Sequence, residues 1–333
     1  MKKKLSRLLR SVTVMAAGLF FITGCGRSEP VSKTEFMLDT VCAVTIYDKT
    51  DEKIIEEAFR IGKNYENLFS ATIEGSDIYR INEAKGEKVK VDKDTIELIE
   101  TALKYSELTD GAFDITIYPV SRLWDFTGEN PKVPEEALIK EALKHVNYKN
   151  VRINKDESTV QLLDSEAMID PGAIGKGYIA DKMKEYIVSK GVKSAIINLG
   201  GNVLTIGESI EKRPFKIGIR KPFAGESDMV TAVEAEDCSV VSSGSYERYF
   251  EEGGRLYYHI LDSKTGYPAE GGLSGTTIIS AKSVDGDALS TCCFILGYEK
   301  AVKLLDSITE EDIKAIFIED DNSTMRFYGM EGK

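Results

Sequence analysis

The sequence predicts an α+β fold in which mixed or antiparallel sheets pack against helices. Three features support this class. Helical periodicity alternates with short strand-like runs, two pairs of these runs flank turn sequences typical of hairpins, and no glycine fingerprint of the dinucleotide-binding type follows a first strand. Strands joined by hairpins favour antiparallel or mixed pairing over a doubly wound sheet. The pattern therefore argues against a hydride-transfer enzyme.

Five segments have the apolar spacing of helices. In the first, residues 52–69, the side chains of Ile54, Ala58 and Ile61 fall on one face. Another begins with Pro134 and carries two acidic residues in its first turn, as is favourable at a helix start. That helix is predicted at residues 134–144, and the other three at residues 94–108, about 175–189 and about 287–306.

Strand-like runs lie between and after these helices. One predicted hairpin joins residues 246–250 to 256–261 across a Glu-Gly-Gly turn, and another joins 314–318 to 325–328 across Asp-Asp-Asn. Further strands are predicted at residues 42–47, 159–163, 194–198, 215–219, 229–235 and 239–242.

Composition excludes two functional classes. The 333 residues carry a formal net charge of −12, which argues against a nucleic-acid partner because phosphate neutralisation needs a basic surface. Only 2 His and 5 Cys are present, too few for a Cys/His zinc cluster. Cys42 and Cys238 lie in strand-like runs and are predicted to be buried small hydrophobic residues rather than a disulfide pair.

The first 24 residues are predicted to be a secretory signal. A basic stretch precedes an apolar run of about 11 residues, too short for a mature transmembrane helix, which needs about 20. The sequence Ile-Thr-Gly-Cys at 22–25 resembles a bacterial lipobox, in which the cysteine is lipidated. Cys25 is therefore the expected membrane anchor, and residues 25–33 the expected tether. The alternative is a plain signal peptide in which Cys25 is incidental.

Two clusters suggest phosphate and metal chemistry. Residues 170–178 place three glycines and Lys176 before a helical pattern, so the turn either binds an anion or is a tight turn with a solvated lysine. In residues 285–291, Asp287 and Thr291 are four apart and share one face if the segment is helical. A carboxylate and a hydroxyl suit Mg²⁺, but capping by Asp285 or Asp287 is the competing interpretation.

Two further clusters are ambiguous by themselves. His259 follows a strand-like run and is either a structural residue or a general base. His145 is explained by its position at a helix C-terminus. Residues 110–116 place Asp110 and Asp114 around Phe113, so they either line a ligand pocket or form a helix stop and a strand start.

Six motifs occur together in the order seen in the ApbE family, the bacterial FAD:protein FMN transferases. The resemblance covers residues 34 to 328, and the expected domain is a single ApbE-like unit of residues 34–330. The motifs are Phe-Met-Leu-Asp-Thr at 36–40, Asp-Gly-Ala-Phe-Asp at 110–114, Asp-Pro-Gly-Ala-Ile-Gly-Lys-Gly at 170–177, Asn-Leu-Gly-Gly-Asn at 198–202, His-Ile-Leu-Asp at 259–262, and Asp287 with Thr291.

The resemblance implies a Mg²⁺-dependent transfer of FMN from FAD to a Thr or Ser hydroxyl of an acceptor protein, with AMP leaving. His259 matches the proposed base of the family. Asp287, Thr291 and the main-chain carbonyl of Ala173 match its metal ligands. The positions that match FAD-contacting residues are Met37, Ala112, Phe113, Asp114, Asp170, Lys176 and Ile260.

The resemblance also implies where the protein works and with what. The expected acceptor is a flavoprotein subunit of an extracytoplasmic or membrane redox system. The expected location is the extracytoplasmic face of the cell membrane, held by the lipid on Cys25. Two alternatives use the same FAD site: a Mg²⁺-dependent FAD pyrophosphatase, with water as the nucleophile, and a lipid-anchored flavin-binding protein that transfers nothing.

Overall fold

The structure, a computed structural model, describes residues 29–128, 131–225, 227–309 and 312–330. The predicted signal peptide and Cys25 lie outside the described residues. Strand β1 (Val31–Met37) begins inside the segment 25–33 that was predicted as a tether, so residues 31–33 belong to the sheet.

The centre of the fold is an eight-stranded sheet in which every neighbouring pair is antiparallel. This confirms the predicted class, because hairpins and antiparallel neighbours build the sheet. Its strands, in spatial order, are β1, β2 (Thr40–Ile46), β6 (Ala195–Leu199), β7 (Asn202–Ile206), β10 (Ser239–Gly244), β13 (Leu273–Ser280), β14 (Lys314–Glu319) and β15 (Met325–Tyr328).

Three small antiparallel sheets surround the large one. They are β3 (Val89–Lys90), β5 (Thr159–Leu162) and β4 (Val151–Asn154), which follows a short 3₁₀ helix at Tyr148–Asn150; β8 (Phe215–Arg220) with β9 (Met229–Ala235); and β11 (Tyr249–Glu252) with β12 (Arg255–Tyr258).

Eight α-helices lie in the described part of the chain. They are α1 (Lys53–Phe69), α2 (Asp77–Glu83), α3 (Lys93–Leu108), α4 (Tyr118–Trp124), α5 (Glu136–Leu143), α6 (Gly175–Ser189), α7 (Ser283–Leu296) and α8 (Tyr298–Ser307). None of the described helices is both long enough and apolar enough to cross a bilayer.

The two faces of the large sheet are covered differently. One face carries Val44, Ile197 and Ile278, which belong to the main core with the buried sides of α1, α6 and α7. On the other face, Val240 and Ile279 pack in a second cluster with residues of the β8–β9 hairpin. The interior is therefore made by the sheet with helices on one side, and α6 and α7 meet within it.

The predicted helices at 52–69, 94–108, 134–144 and 175–189 are confirmed to within two residues. The predicted helix at 287–306 is wrong in extent, because the chain forms two helices there. Gly297 separates them with φ of +71°, a conformation that suits glycine and ends α7. Helix α7 also begins at Ser283, four residues before the predicted start.

The main omission is β13, which lies in the interior of the large sheet. All eight of its residues are buried, so the sequence shows no polar alternation to mark a strand. The four cysteines of the described residues are free, as predicted for Cys42 and Cys238, but Cys238 is only partly buried, contrary to prediction. Cys42 is buried, and burial raises the pKa of its thiol to about 11. His145 lies just beyond α5, where its Nδ1 atom is 2.9 Å from Asp164.

Candidate active site

The glycine-rich turn leads directly into α6. Its geometry is fixed by Asp170, which accepts hydrogen bonds from the Gly172 amide (2.9 Å) and the Ser121 hydroxyl (3.1 Å). Helix α6 then starts without a side-chain cap at Ile174, and Lys176 lies in its first turn. A helix start with a lysine beside it is suited to an anion such as a diphosphate. The predicted anion-binding turn thus has the required backbone context.

Asp287 and Thr291 lie on α7, one turn apart. The Asp287 carboxylate is buried, and its Oδ2 atom accepts a hydrogen bond from the Gly177 amide at 2.8 Å. No described residue donates a hydrogen bond to the other carboxylate oxygen, Oδ1. The Thr291 hydroxyl is 3.2 Å from that of Ser243, which also bonds Ser290. The glycine-rich turn and the first half of α7 are therefore in contact, although Gly177 and Asp287 are 110 residues apart in sequence.

The capping interpretation of this segment is wrong. Lys282 is the residue before the helix, and its side chain makes no capping bond. Both Asp285 and Asp287 lie inside α7 instead. The Asp285 carboxylate accepts a hydrogen bond from the Tyr105 hydroxyl, which ties α7 to α3. Asp287 therefore caps no amide of α7; its bond goes to the Gly177 amide in the first turn of α6.

His259 directly follows β12, and its amide donates to the Arg248 carbonyl at 3.1 Å. The side chain keeps some solvent exposure, but its Nδ1 atom is buried and has no hydrogen-bond partner among the described residues. This burial, reinforced by the charges of Arg248 and Lys176, lowers the pKa of His259 to about 3. The imidazole is therefore neutral at physiological pH and has a free nitrogen lone pair.

Sequence reasoning missed Glu247 and Arg248, which lay unremarked inside a run predicted as a strand. Glu247 reaches solvent, but protein encloses its carboxyl on most sides, and this raises its pKa to about 7. Asp287 raises that pKa further, whereas Lys176 and Arg248 oppose the rise. The ionisable groups of Lys176, Glu247, Arg248, His259 and Asp287 therefore lie near enough to one another for their charges to affect the pKa values of Glu247 and His259. The sequence signal that could have identified them is the pair of adjacent, oppositely charged residues at 247 and 248.

The segment 110–116 joins the other clusters through its backbone. The Asp170 amide donates to the Ile115 carbonyl at 2.8 Å, and the Ser263 hydroxyl donates to the Gly111 carbonyl. The Asp114 carboxylate is buried and accepts bonds from the Thr116 amide (2.8 Å) and hydroxyl (2.6 Å) and from the amide of residue 148 (2.9 Å). The segment follows the end of α3, as predicted, but the predicted strand start is wrong, because the chain continues into α4 at Tyr118.

The apolar residues expected to contact FAD are mostly inside the core. Met37 is 2% exposed, and its side chain lies beside Gly62 and Met183 between α1 and α6. Ala112, Phe113 and Ile260 are also buried. Little of these side chains faces solvent. A bound flavin ring would therefore contact their few exposed side-chain atoms and the main chain at these positions.

The donors predicted for Mg²⁺ are one carboxylate, one hydroxyl and one main-chain carbonyl. In the described chain, no group of three or more His, Cys, Asp or Glu side chains is placed to hold a metal ion. Mg²⁺ does not need such a group, because it keeps several waters and takes one or two carboxylates. The unshared Oδ1 atom of Asp287, on the same face as Thr291, fits this donor set.

Comparison with known proteins shows the family. A sequence model of the ApbE family matches residues 38–317. The chain belongs to the ApbE family. A relative from Treponema pallidum (strain Nichols), named FAD:protein FMN transferase, is 33% identical over 327 residues, which cover 92% of this chain and 90% of the relative. Another of the same name, from Klebsiella pneumoniae (strain 342), is 38% identical over 269 residues, covering 80% and 83%.

Solved structures of ApbE proteins share the fold. The crystal structure of the ApbE protein from Thermotoga maritima matches with a TM-score of 0.81 at 34% identity, over 90% of this chain and 96% of that one. The flavin transferase ApbE from Vibrio cholerae matches with a TM-score of 0.78 to 0.77 in its mutant and unmutated forms, at 23% identity. The predicted single ApbE-like fold class is confirmed.

Proposed function

We propose that this chain is an FAD:protein FMN transferase. FAD is the donor, a Thr or Ser hydroxyl of an acceptor protein is the nucleophile, and AMP is the leaving group. The observation that carries the proposal is the hydrogen bond from the Gly177 amide to Asp287, which brings the glycine-rich turn to that carboxylate, while Lys176 of the same turn lies near enough to His259 to lower its pKa. The names of the relatives support the same reaction.

Asp287, Thr291 and the Ala173 carbonyl would hold Mg²⁺. When bound, the ion would offset the negative charge that develops on the phosphate oxygens. Lys176 and the start of α6 would bind the diphosphate and hold it in line with the attacking hydroxyl. The residues at 37, 112–114, 170 and 260 would contact the rest of FAD, as the family resemblance implies.

His259 would accept the proton of the acceptor hydroxyl. The hydroxyl oxygen forms a bond to the phosphorus of the FMN half as that phosphorus loses its bond to the AMP oxygen. The product is a phosphoester between FMN and the acceptor, and the proton remains on the imidazole until solvent removes it. A neutral imidazole is required for this step, and the low pKa of His259 provides it.

Mass spectrometry tests the reaction directly. The chain, FAD and Mg²⁺ are incubated with a candidate acceptor subunit that has an accessible threonine, and the acceptor is expected to gain the mass of one FMN while AMP appears. The Asp287→Ala variant should release no AMP. AMP release without a change in acceptor mass, across all acceptors tested, would favour the pyrophosphatase, and FAD binding without AMP would favour a flavin-binding protein.

We further propose that the protein is a lipoprotein on the extracytoplasmic face of the cell membrane. The basic and apolar sequence of residues 1–24 and the cysteine at 25 support this location. An acceptor in the same compartment, a flavoprotein subunit of a membrane or extracytoplasmic redox system, would then be within reach of the site.

A further inference from the structure

The start of α7 is capped by a residue of another helix. The Asp181 carboxylate, on α6, accepts hydrogen bonds from the amides of Ser283 and Val284, each at 2.9 Å. These are two of the first amides of α7, which have no partner within their own helix. Lys282 supplies no capping bond. A carboxylate about 100 residues earlier in the sequence therefore does the work of a local cap.

The side chain of Ser283 holds the same turn from the opposite side. Its hydroxyl donates to Asn202 Oδ1 at 2.7 Å and accepts from the Ser239 hydroxyl at 3.0 Å, and Ser283 has no exposed surface. Asn202 ends the Asn-Leu-Gly-Gly-Asn motif, for which the proposed reaction offers no role. The motif thus joins the large sheet to the first turn of α7.

A second contact lies one helical turn away, before Asp181 on α6 and after Ser283 on α7. The Gly177 amide of α6 donates to Asp287 of α7 at 2.8 Å, four residues from Asp181 and from Ser283 respectively. The helices are close here, because a Cβ atom on Gly177 would lie 2.3 Å from the Ser283 carbonyl oxygen. One contact holds the start of α7, and the other orients the carboxylate that α7 presents.

We propose that Asp181 is a positioning residue for the divalent cation: it fixes α7 against α6 so that Asp287 and Thr291 face the glycine-rich turn. This inference rests on the proposed function, since it concerns the same metal site. Asp181 itself holds backbone amides and does not touch the ion. Groups that orient metal ligands typically change metal affinity by about 10- to 100-fold when removed.

Titration with Mn²⁺ in place of Mg²⁺ tests this without turnover. The electron paramagnetic resonance signal of free Mn²⁺ reports its Kd for the full chain in the absence of FAD. Asp181→Ala is expected to raise that Kd about 10- to 100-fold. If Asp181→Ala does not fold, Asp181→Asn keeps one acceptor oxygen and should give a smaller rise. With FAD, KM for Mg²⁺ should rise while kcat at saturating Mg²⁺ is retained.

Asp48 provides a matched control. Its carboxylate also accepts two consecutive amides, those of Lys193 and Ser194, and it has no hydrogen bond to any candidate site residue in the described chain. Asp48→Ala should lower the Tm and leave the Mn²⁺ Kd unchanged. A wild-type Kd in folded Asp181→Ala, or an equal loss in both variants, would overturn the inference alone. A wild-type chain that binds no Mn²⁺ would overturn the proposed metal site as well.

Discussion

Burial lowers the pKa of the His259 imidazole and keeps the ring neutral in the free protein. Lys176 and Arg248 reinforce the effect of burial on its pKa. A diphosphate bound at Lys176 would bring negative charge close to His259 and shift the pKa of His259 upward, toward the range of an effective base. Bound substrate would thus make His259 a stronger base. In the free protein the imidazole stays unprotonated and able to accept a proton.

Replacing His259 tests its role as base. His259→Ala should bind FAD with near wild-type affinity and transfer FMN about 10²- to 10⁴-fold more slowly, because only the proton acceptor is lost. FAD fluorescence gives the affinity, and labelled acceptor gives the rate. His145→Ala is the control, since His145 pairs with Asp164 outside the site. Normal turnover in His259→Ala would assign proton removal to another group.

Asp181 predicts a pH-dependent term in stability. Burial raises its pKa from 3.8 to about 6, so the folded state binds a proton more tightly than the unfolded state does. Its contribution is therefore fully present below about pH 4 and is lost as the pH rises through about 6, by at most about 3 kcal/mol.

Urea unfolding of wild type and Asp181→Asn at several pH values measures this term. The unfolding free energy of wild type should fall relative to that of the variant between about pH 4 and pH 6, and the difference should be constant above about pH 7. Parallel pH profiles for the two proteins would show that the folded-state pKa of Asp181 is ordinary.

At the scale of the elements, the contact between α6 and α7 requires a glycine at one position. Gly177→Ala would place a methyl group 2.3 Å from the Ser283 carbonyl oxygen, and backbone has to move to relieve it. We expect a loss of about 1–3 kcal/mol of stability and weaker metal binding. Gly175→Ala, two residues earlier, meets nothing within 4 Å and should be neutral or slightly stabilising.

Thermal unfolding and Mn²⁺ titration of the two glycine variants check this difference. The variants add the same atom to the same helical turn, so propensity effects are shared and the close approach to α7 is isolated. Equal Tm values and equal Mn²⁺ affinities in Gly177→Ala and Gly175→Ala would mean that α6 and α7 adjust without cost.

Periodicity predicted the amphipathic elements and failed where an element is buried on every side. Helix α1 has one solvent-exposed face, and its bounds could be predicted from the sequence. Helix α7 is buried nearly all round through its first eight residues, and β13 throughout, so neither shows a polar stripe. The motifs identified the candidate site residues, but they did not predict which of these residues lie together in space. The hydrogen bonds Gly177–Asp287 and Asp181–Ser283 each join residues more than 100 positions apart.

At the scale of the whole molecule, charge and anchor act in opposite directions. Removing residues 1–24 takes away five positive charges and no negative ones, so the net charge falls from −12 to −17. Such a chain is repelled by an anionic membrane surface. In the proposed lipoprotein, the acyl group on Cys25 would therefore have to hold the protein at the membrane against this repulsion.

Cys25→Ser should thus release the protein from membranes. The expected result is a shift of nearly all of the protein from the membrane pellet to the soluble fraction, measured by fractionation of cells that express each form. FMN transfer in detergent extracts should be unchanged, because Cys25 precedes β1, the first described strand, and is not one of the candidate FAD- or metal-binding residues. Retention of the serine variant in the membrane pellet after a high-salt wash would show that something other than the lipid anchors the chain.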